Sequence, residues 1–287
     1  MIVIDTLAQG LLLGGLYALF AAGLSLVFGI MRLVNLAHGD LIILAAYLIL
    51  TVVSLTGLHP FLAVLLAAPV MFAVGWLLQT YLLNRVLGPD ILPPLLVTFG
   101  LSVVIQNSLL MGYTADSRKL AAGAIEAQAM HLGPVTLGVM PVLTFASAVA
   151  VIFALNQLFY RTALGRAFRA TSDDTVTAQL MGIQPQRIFA IATGIALVVA
   201  TIAALFLGTR ANFDPSIGPA RLLYAFEAVI IGGLGSLWGT LAGGIVIGLA
   251  QAVGASINPE WQILSGHIAF VLVLLIRPRG LFPRAND

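Results

Sequence analysis

The sequence predicts an all-α, polytopic transmembrane helix bundle, and three observations carry that prediction. Of the 287 residues, 60% are hydrophobic and 8% charged, with a mean hydropathy of +1.07, so there is too little polar surface to coat a water-soluble domain of this length. About eight apolar segments follow one another, most of them long enough to cross a hydrocarbon core roughly 30 Å thick. These runs lack the alternation of barrel strands, and unpaired backbone is costly in lipid, so each is expected to be helical.

In order, the segments are 7–29, 39–57, 60–83, 92–113, 137–160, 188–208, 222–257 and 262–276, within a single membrane domain covering 1–287. The first basic residue is Arg32, so the start lacks the positive region of a cleaved leader and 7–29 is expected to stay as a span. Arg32, Arg85, the loop 161–187 and the tail with Arg277, Arg279 and Arg284 should lie on the cytoplasmic side. Alternate crossings then put the loops near His59, 114–136 and 209–221 outside. Segment 222–257, at about 36 residues, is too long for one upright helix. A single crossing there would also strand the basic tail outside. It is therefore read as a doubled-back pair or re-entrant hairpin around Gly232–Gly239. Arg118, Lys119, Arg210 and Arg221 fall on the outer side against the rule, partly offset by Asp116, Glu126 and Asp214.

All but one of the 13 basic residues are arginine, and they cluster at the ends of apolar runs. That placement points to membrane orientation and not to nucleic acid. The chain has no cysteine, which excludes disulfides, thiolate metal sites and a Cys nucleophile.

The longest polar interruption is RTALGRAFRATSDDTVTAQLMGIQPQR, residues 161–187. Gly165 is expected to break the incoming helix, Ser172 to cap a short helix starting at Asp173 and Asp174, and Gly182 to stop it. The two aspartates would face the positive end of that helix. Charge alone is explained by membrane orientation; the alternative is a docking surface.

Two stretches are irregular, near 29–40 and 232–244. The first carries Asn35, His38, Gly39 and Asp40, and the second Gly232, Gly233, Gly235 and Gly239. Aligning Gly39 with Gly244 gives a weak internal repeat, and glycine-interrupted segments in two halves of a chain point to a transport pathway of discontinuous helices. The competing reading is close packing, with Gly235, Gly239 and Gly243 forming one stripe and Gly10 and Gly14 another. Asn35, His38 and Asp40 either line a path or cap segment two at the interface. Glu227 requires a partner or a water-filled cavity, and Arg221 is the partner near in sequence. His267 is read as a packing residue. His59 and His131 lack the spacing of a metal site.

No phosphate-binding glycine loop and no nucleophile elbow is found, so the chain is expected to have no nucleotide site, no catalytic residue and no cofactor of its own. The energy for any transport would come from partners.

The sequence resembles permease subunits of bacterial ATP-binding-cassette importers for branched-chain amino acids over nearly its whole length. The resemblance rests on Gly29-Ile30 through Asn35-Leu36-Ala37-His38-Gly39-Asp40. It rests also on Gly165-Arg166-Ala167-Phe168-Arg169-Ala170 with Asp173, Asp174, Ala178 and Met181-Gly182-Ile183, and on Ile231-Gly232-Gly233-Leu234-Gly235-Ser236 through Gly243-Gly244, with Arg277-Pro278-Arg279-Gly280-Leu281-Phe282-Pro283 at the close.

The resemblance implies a multi-pass protein of the bacterial inner membrane, the smaller of two non-identical permeases. Its partners would be the second permease, two ATP-binding subunits and an extracytoplasmic solute-binding protein. It further implies that the loop residues named above seat in the ATPase, and helical spacing then predicts that the face entering it and facing outward from the permease is set by Ala178 and Met181, with Val176 or Thr177 nearby. The pathway would then be lined by Asn35, His38, Gly39, Asp40, Glu227, Gly232, Gly233, Gly235 and Gly239. Similar permeases carry urea, amides or other amino acids. A proton-coupled secondary carrier, using Glu227 and His267, and more distantly a membrane-embedded hydrolase are the readings from other classes.

Overall fold

The computed structural model describes residues 2–88, 90–132 and 135–282. Its helices are α1 (Ile2–Met31), α2 (His38–Thr56), α3 (Pro60–Tyr81), α4 (Leu92–Tyr113), α5 (Val139–Arg161), α6 (Ala163–Asp173), α7 (Thr175–Leu180), α8 (Pro185–Arg210), α9 (Gly218–Gly232), α10 (Leu237–Ile257) and α11 (Trp261–Ile276). A small antiparallel hairpin, β1 (Ala129–Leu132) and β2 (Val135–Gly138), lies between α4 and α5. Among the described residues, seven helices are long and apolar enough to cross a membrane, and α11 is a shorter apolar helix. The expected polytopic bundle is therefore what forms.

Helix α1 is apolar all round and is the centre of the bundle, with Ala18 through Ala22 fully buried. It packs most extensively on α10, and also on α8, α5 and α9. The α1–α10 contact is a glycine seam. A Cβ at Gly14 would lie 2.6 Å from the Ile245 Cα, and one at Gly248 would lie 2.4 Å from the Gly10 carbonyl oxygen. Such small residues let two backbones touch in lipid.

Segment 222–257 doubles back as expected. It divides into α9 and α10, which pack against each other, and the turn between them uses Gly233 (φ +100°) and Gly235 (φ +78°). Gly239 and Gly243 do not continue a stripe with Gly235: they pack α10 against α9, where a Cβ at Gly243 would sit 2.1 Å from the Ala228 oxygen. The last carbonyls of α9 are closed by the tail, since Leu281 N–H donates to Ile231 O (2.8 Å) and Phe282 N–H to Gly232 O (3.0 Å). Pro283 and Arg284, expected in the cytoplasmic tail, lie outside the described residues.

The irregularity near 29–40 reaches deeper than an interfacial cap. Helix α1 ends at Met31, the next residue Arg32 has a φ of +52°, and the chain then turns back inward. His38 Nε2 is 2.9 Å from the Phe20 carbonyl oxygen, which lies about 16 Å along α1 from its end at 1.5 Å per residue. Helix α2 thus starts deep in the bundle, beside the interior of α1.

The loop 209–221, expected to stay outside, also re-enters. Phe213 packs edge-on against Tyr47 with ring centroids 5.1 Å apart, and Gly218 reaches Asp40 at the start of α2. Helix α9 thus starts at the same depth as α2 and runs the other way.

The two starts share local geometry. Asn35 Oδ1 accepts from Ala37 N–H at 3.0 Å, and Asp214 Oδ1 accepts from Ser216 N–H at 2.9 Å. The residues preceding the helices have nearly equal torsions, φ −80° and ψ −2° at Ala37 against φ −79° and ψ −4° at Ile217. The pairing expected between Gly39 and Gly244 is therefore corrected. Gly244 lies inside α10 against α1, while the counterpart of Gly39 is Gly218.

In the connection between α4 and α5, Lys119 Nζ bonds Glu126 Oε2 at 2.6 Å. That bond, with one from Ala122 N–H, holds the Glu126 carboxyl below its ordinary pKa.

Candidate functional site

The polar loop folds as two short helices. Thr162 caps α6 by accepting from Gly165 N–H at 3.0 Å, so the helix breaks at Thr162 and not at Gly165. Gly165 instead lets α6 fold back on α5, because a Cβ there would lie 2.2 Å from both the Leu158 and Phe159 carbonyl oxygens. Phe168 fills the angle between the two helices. The Arg169 guanidinium donates to Phe159 O and lies 5.5 Å from the Tyr160 ring centroid, so this arginine is held within the chain, whereas Arg166 is exposed.

Ser172 is not a cap. Its hydroxyl donates to Gly29 O at 2.8 Å, tying α6 to the end of α1. Asp174 alone caps α7, accepting from Val176 N–H (2.9 Å) and Thr177 N–H (3.1 Å), and these bonds with one from the Thr177 hydroxyl hold its carboxyl below the usual range. Asp173 ends α6, on the wrong side of the break to face the start of α7. Gly182, with φ +84°, terminates α7.

Ala178, expected to face outward, is 3% exposed and packs into the chain itself. Val176, Leu180 and Met181 are 68%, 83% and 79% exposed. Met181 therefore lies on the outward face as expected, but Leu180 is the residue the sequence reading missed. In a six-residue helix, the face that packs is set by where α8 runs, and spacing alone does not reveal that.

Deep in the bundle, Asp40 is 1% exposed and ties three helices. Its carboxylate accepts from Ser102 Oγ (2.5 Å) and Gln106 Nε2 (3.0 Å) on α4, while its side chain lies against Gly218 at the start of α9. Ser102 and Gln106 were missed, although two polar residues four apart in an apolar helix lie on one face and signal a shared partner. Asn35 and His38 are also buried and bonded within the chain.

Glu227 pairs with His267 and not with Arg221: Glu227 Oε1 is 2.5 Å from His267 Nδ1, joining α9 to α11. The His267 ring also stacks on Tyr224, centroids 6.1 Å apart. Gly232 and Gly239 touch across the α9–α10 turn. Beside that turn, Gly235 and Ser236 join Ser25, Asn156 and Trp238 in lining a cavity of roughly 290 Å³ at the C-terminal ends of α1 and α5.

Helices interrupted at mid-depth, a re-entrant pair and a water-facing loop with uncovered apolar side chains define a multi-pass membrane permease. The chain belongs to the family described as branched-chain amino acid transport system, permease component, whose model matches residues 6–276. The permease protein BraD of the high-affinity branched-chain amino acid transport system of Pseudomonas aeruginosa is 30% identical over 98% of this chain and 96% of its own length. LivH of Escherichia coli, named for the same kind of system, is 27% identical over 96% of this chain and 94% of its own. Among solved structures, PsaBC from Streptococcus pneumoniae in complex with Fab shares the fold, with a TM-score of 0.50 at 14% identity, covering 96% of this chain and 92% of that one.

Proposed function

We propose that this chain is a translocation subunit of an ATP-driven importer for branched-chain amino acids in the bacterial cytoplasmic membrane. It works as the smaller of two non-identical permeases, with two ATP-binding subunits and an extracytoplasmic binding protein. Family membership over residues 6–276 supports the class. The observation that carries the mechanism is the exposed apolar face of α7, Val176, Leu180 and Met181, on a short helix in the polar loop between two spans. Uncovered apolar side chains of this kind mark a protein contact.

In this reading α7 seats in the ATPase with Gly182 and Asp174 fixing its ends, and α6 carries its motion inward. The route is short, because Ser172 bonds the end of α1 and Gly165 and Arg169 bind α6 to α5. Helix α1 in turn packs on α10 and α9. Rocking of α9–α10 about Gly232–Gly239, against α2 about Gly39, would alternately open the two sides while Asn35, His38, Asp40 and Glu227 rearrange along the path.

The Glu227–His267 pair is what a proton-coupled carrier would need, so the deciding experiment compares energy sources. Proteoliposomes holding the full complex should take up leucine with internal-facing ATP and binding protein, and not with a proton gradient alone. Uptake driven by the gradient without ATPase subunits would overturn the proposal.

A further inference from the structure

Four polar atoms in one region of the bilayer are buried without a hydrogen-bond partner: Arg210 Nη1, Arg221 Nε, Gln251 Nε2 and Glu227 Oε2. Glu227 and Gln251 are 2% and 1% exposed as residues. They come from α8, α9 and α10 and surround Tyr17 of α1 and Tyr224 of α9, Glu227 on the Tyr224 side. The Tyr17 hydroxyl donates to Gln251 Oε1 at 2.6 Å, and the charges of Arg210 and Arg221 both act on it. The Tyr17 ring stacks on Tyr224 with centroids 4.8 Å apart, and Tyr224 stacks on His267, which holds the other oxygen of Glu227.

Unsatisfied charge in a membrane is costly and persists where it serves a solute. The set also has a definite chemistry. Three of the four free atoms are donors, two of them on cations, and the fourth is an anionic acceptor. Beside them stands the stacked Tyr17–Tyr224 pair, an apolar surface. A simple anion would leave Glu227 Oε2 unmatched, a simple cation would leave the guanidinium groups unmatched, and an uncharged solute would match neither.

We propose that this cluster is a binding site for a zwitterionic α-amino acid within the permease: its carboxylate is held by Arg210, Arg221 and Gln251, its ammonium by Glu227 Oε2, and its apolar side chain lies against Tyr17 and Tyr224. The proposal rests on the import reading above and assigns the solute a place beside the start of α9, where a movement of that half-helix would separate the cationic from the anionic half of the site. Tyr17 and His267 act as positioning residues, fixing the Gln251 amide and the Glu227 carboxylate.

The test uses the full complex in nanodiscs without binding protein and measures saturation-transfer NMR competition among leucine, 4-methylpentanoate, which lacks the ammonium, and 3-methylbutylamine, which lacks the carboxylate. The unaltered complex should favour leucine over each by about tenfold or more, as expected when a charge-assisted hydrogen bond is lost. Glu227→Gln should abolish the preference over 4-methylpentanoate and spare that over the amine, Arg221→Gln should do the reverse, and Arg221→Lys should restore part of it. A purely structural cluster would lower the melting temperature without changing these ratios. Equal binding of the three ligands, no leucine binding up to solubility, or variants with unaltered ratios would each overturn the site. Failure of ATP-driven uptake by the unaltered complex would instead overturn the import reading.

Discussion

Gly39 and Gly218 cross with their backbones in contact: a Cβ at Gly39 would lie 2.0 Å from the Gly218 carbonyl oxygen, and one at Gly218 would meet the Asp40 carboxylate at the same distance. Two helices of opposite direction therefore start against each other inside the bundle, with no room for a side chain at either glycine.

Gly39→Val should prevent that approach. Overpacking a tight site costs about 1–3 kcal/mol, and with backbone as the obstacle the upper end is expected. The purified variant should melt several degrees lower in detergent or fail to assemble. Gly100, whose added Cβ would meet nothing within 4 Å, is the control, and Gly100→Val should melt much closer to wild type. Equal melting of the two variants would show that the crossing tolerates separation.

Asp40 holds α4 to α2 through Ser102 and Gln106. Asp40→Ala leaves both of those groups without their carboxylate partner, at about 1–3 kcal/mol for an unsatisfied buried group, so stability and uptake should both fall. Ser102→Ala keeps the Gln106 bond and should cost less. Thermal melting of both variants checks the order, and a larger loss for Ser102→Ala would contradict this role for Asp40.

The orientation of α7 gives opposed outcomes at neighbouring positions. Leu180→Asp should leave the permease as stable as wild type while reducing co-purification of the ATPase at least several-fold, since a charge would be placed in an apolar contact. Ala178→Arg should destabilise the permease itself, because Ala178 packs inside the chain. ATPase stoichiometry and melting measured on the same preparations separate the two. Wild-type ATPase content with Leu180→Asp would remove the docking role from this face.

Topology can be read in this cysteine-free chain with single cysteines. Thr177→Cys and Arg279→Cys should react with an impermeant maleimide from the cytoplasm only, and Ala124→Cys from outside only. All three positions are exposed. Labelling of position 279 from outside would contradict the doubled-back α9–α10 pair.

The Asp174 cap predicts a pH dependence. Its carboxyl is held below the ordinary value by bonds from Thr177 and Val176. Its contribution is therefore complete above the ordinary aspartate pKa and is lost as pH falls through the lowered folded value. Protection of the α7 amides, followed by hydrogen exchange and corrected for intrinsic rates, should fall in that acidic window, and Asp174→Asn should remove the dependence. The same loss of protection in the Asn variant would assign it to another group.

Much of the fold was legible because lipid leaves the backbone few options. Segment 92–113 became α4 with the same bounds, and the excess length of 222–257 together with the basic tail required a reversal, which Gly233 and Gly235 provide. The cluster at Glu227 was legible only as a question. A buried acid demands a partner, but Arg221 was near in sequence whereas His267, 40 residues away, was brought beside it by the packing of α11 against α9.

The sequence by itself determined the membrane class, the run of apolar segments and the need for a reversal within 222–257. Each follows from local quantities: hydropathy, length, charge and glycine or proline content. Only the tertiary structure decided how deep the breaks run, that Gly39 meets Gly218 and not a counterpart of Gly244, which face of α7 is free, and which polar groups share Tyr17. Those outcomes depend on which helices touch. In an apolar chain nearly every face is chemically acceptable to lipid, so contacts are chosen by glycine seams and a few distant polar pairs that local pattern does not encode.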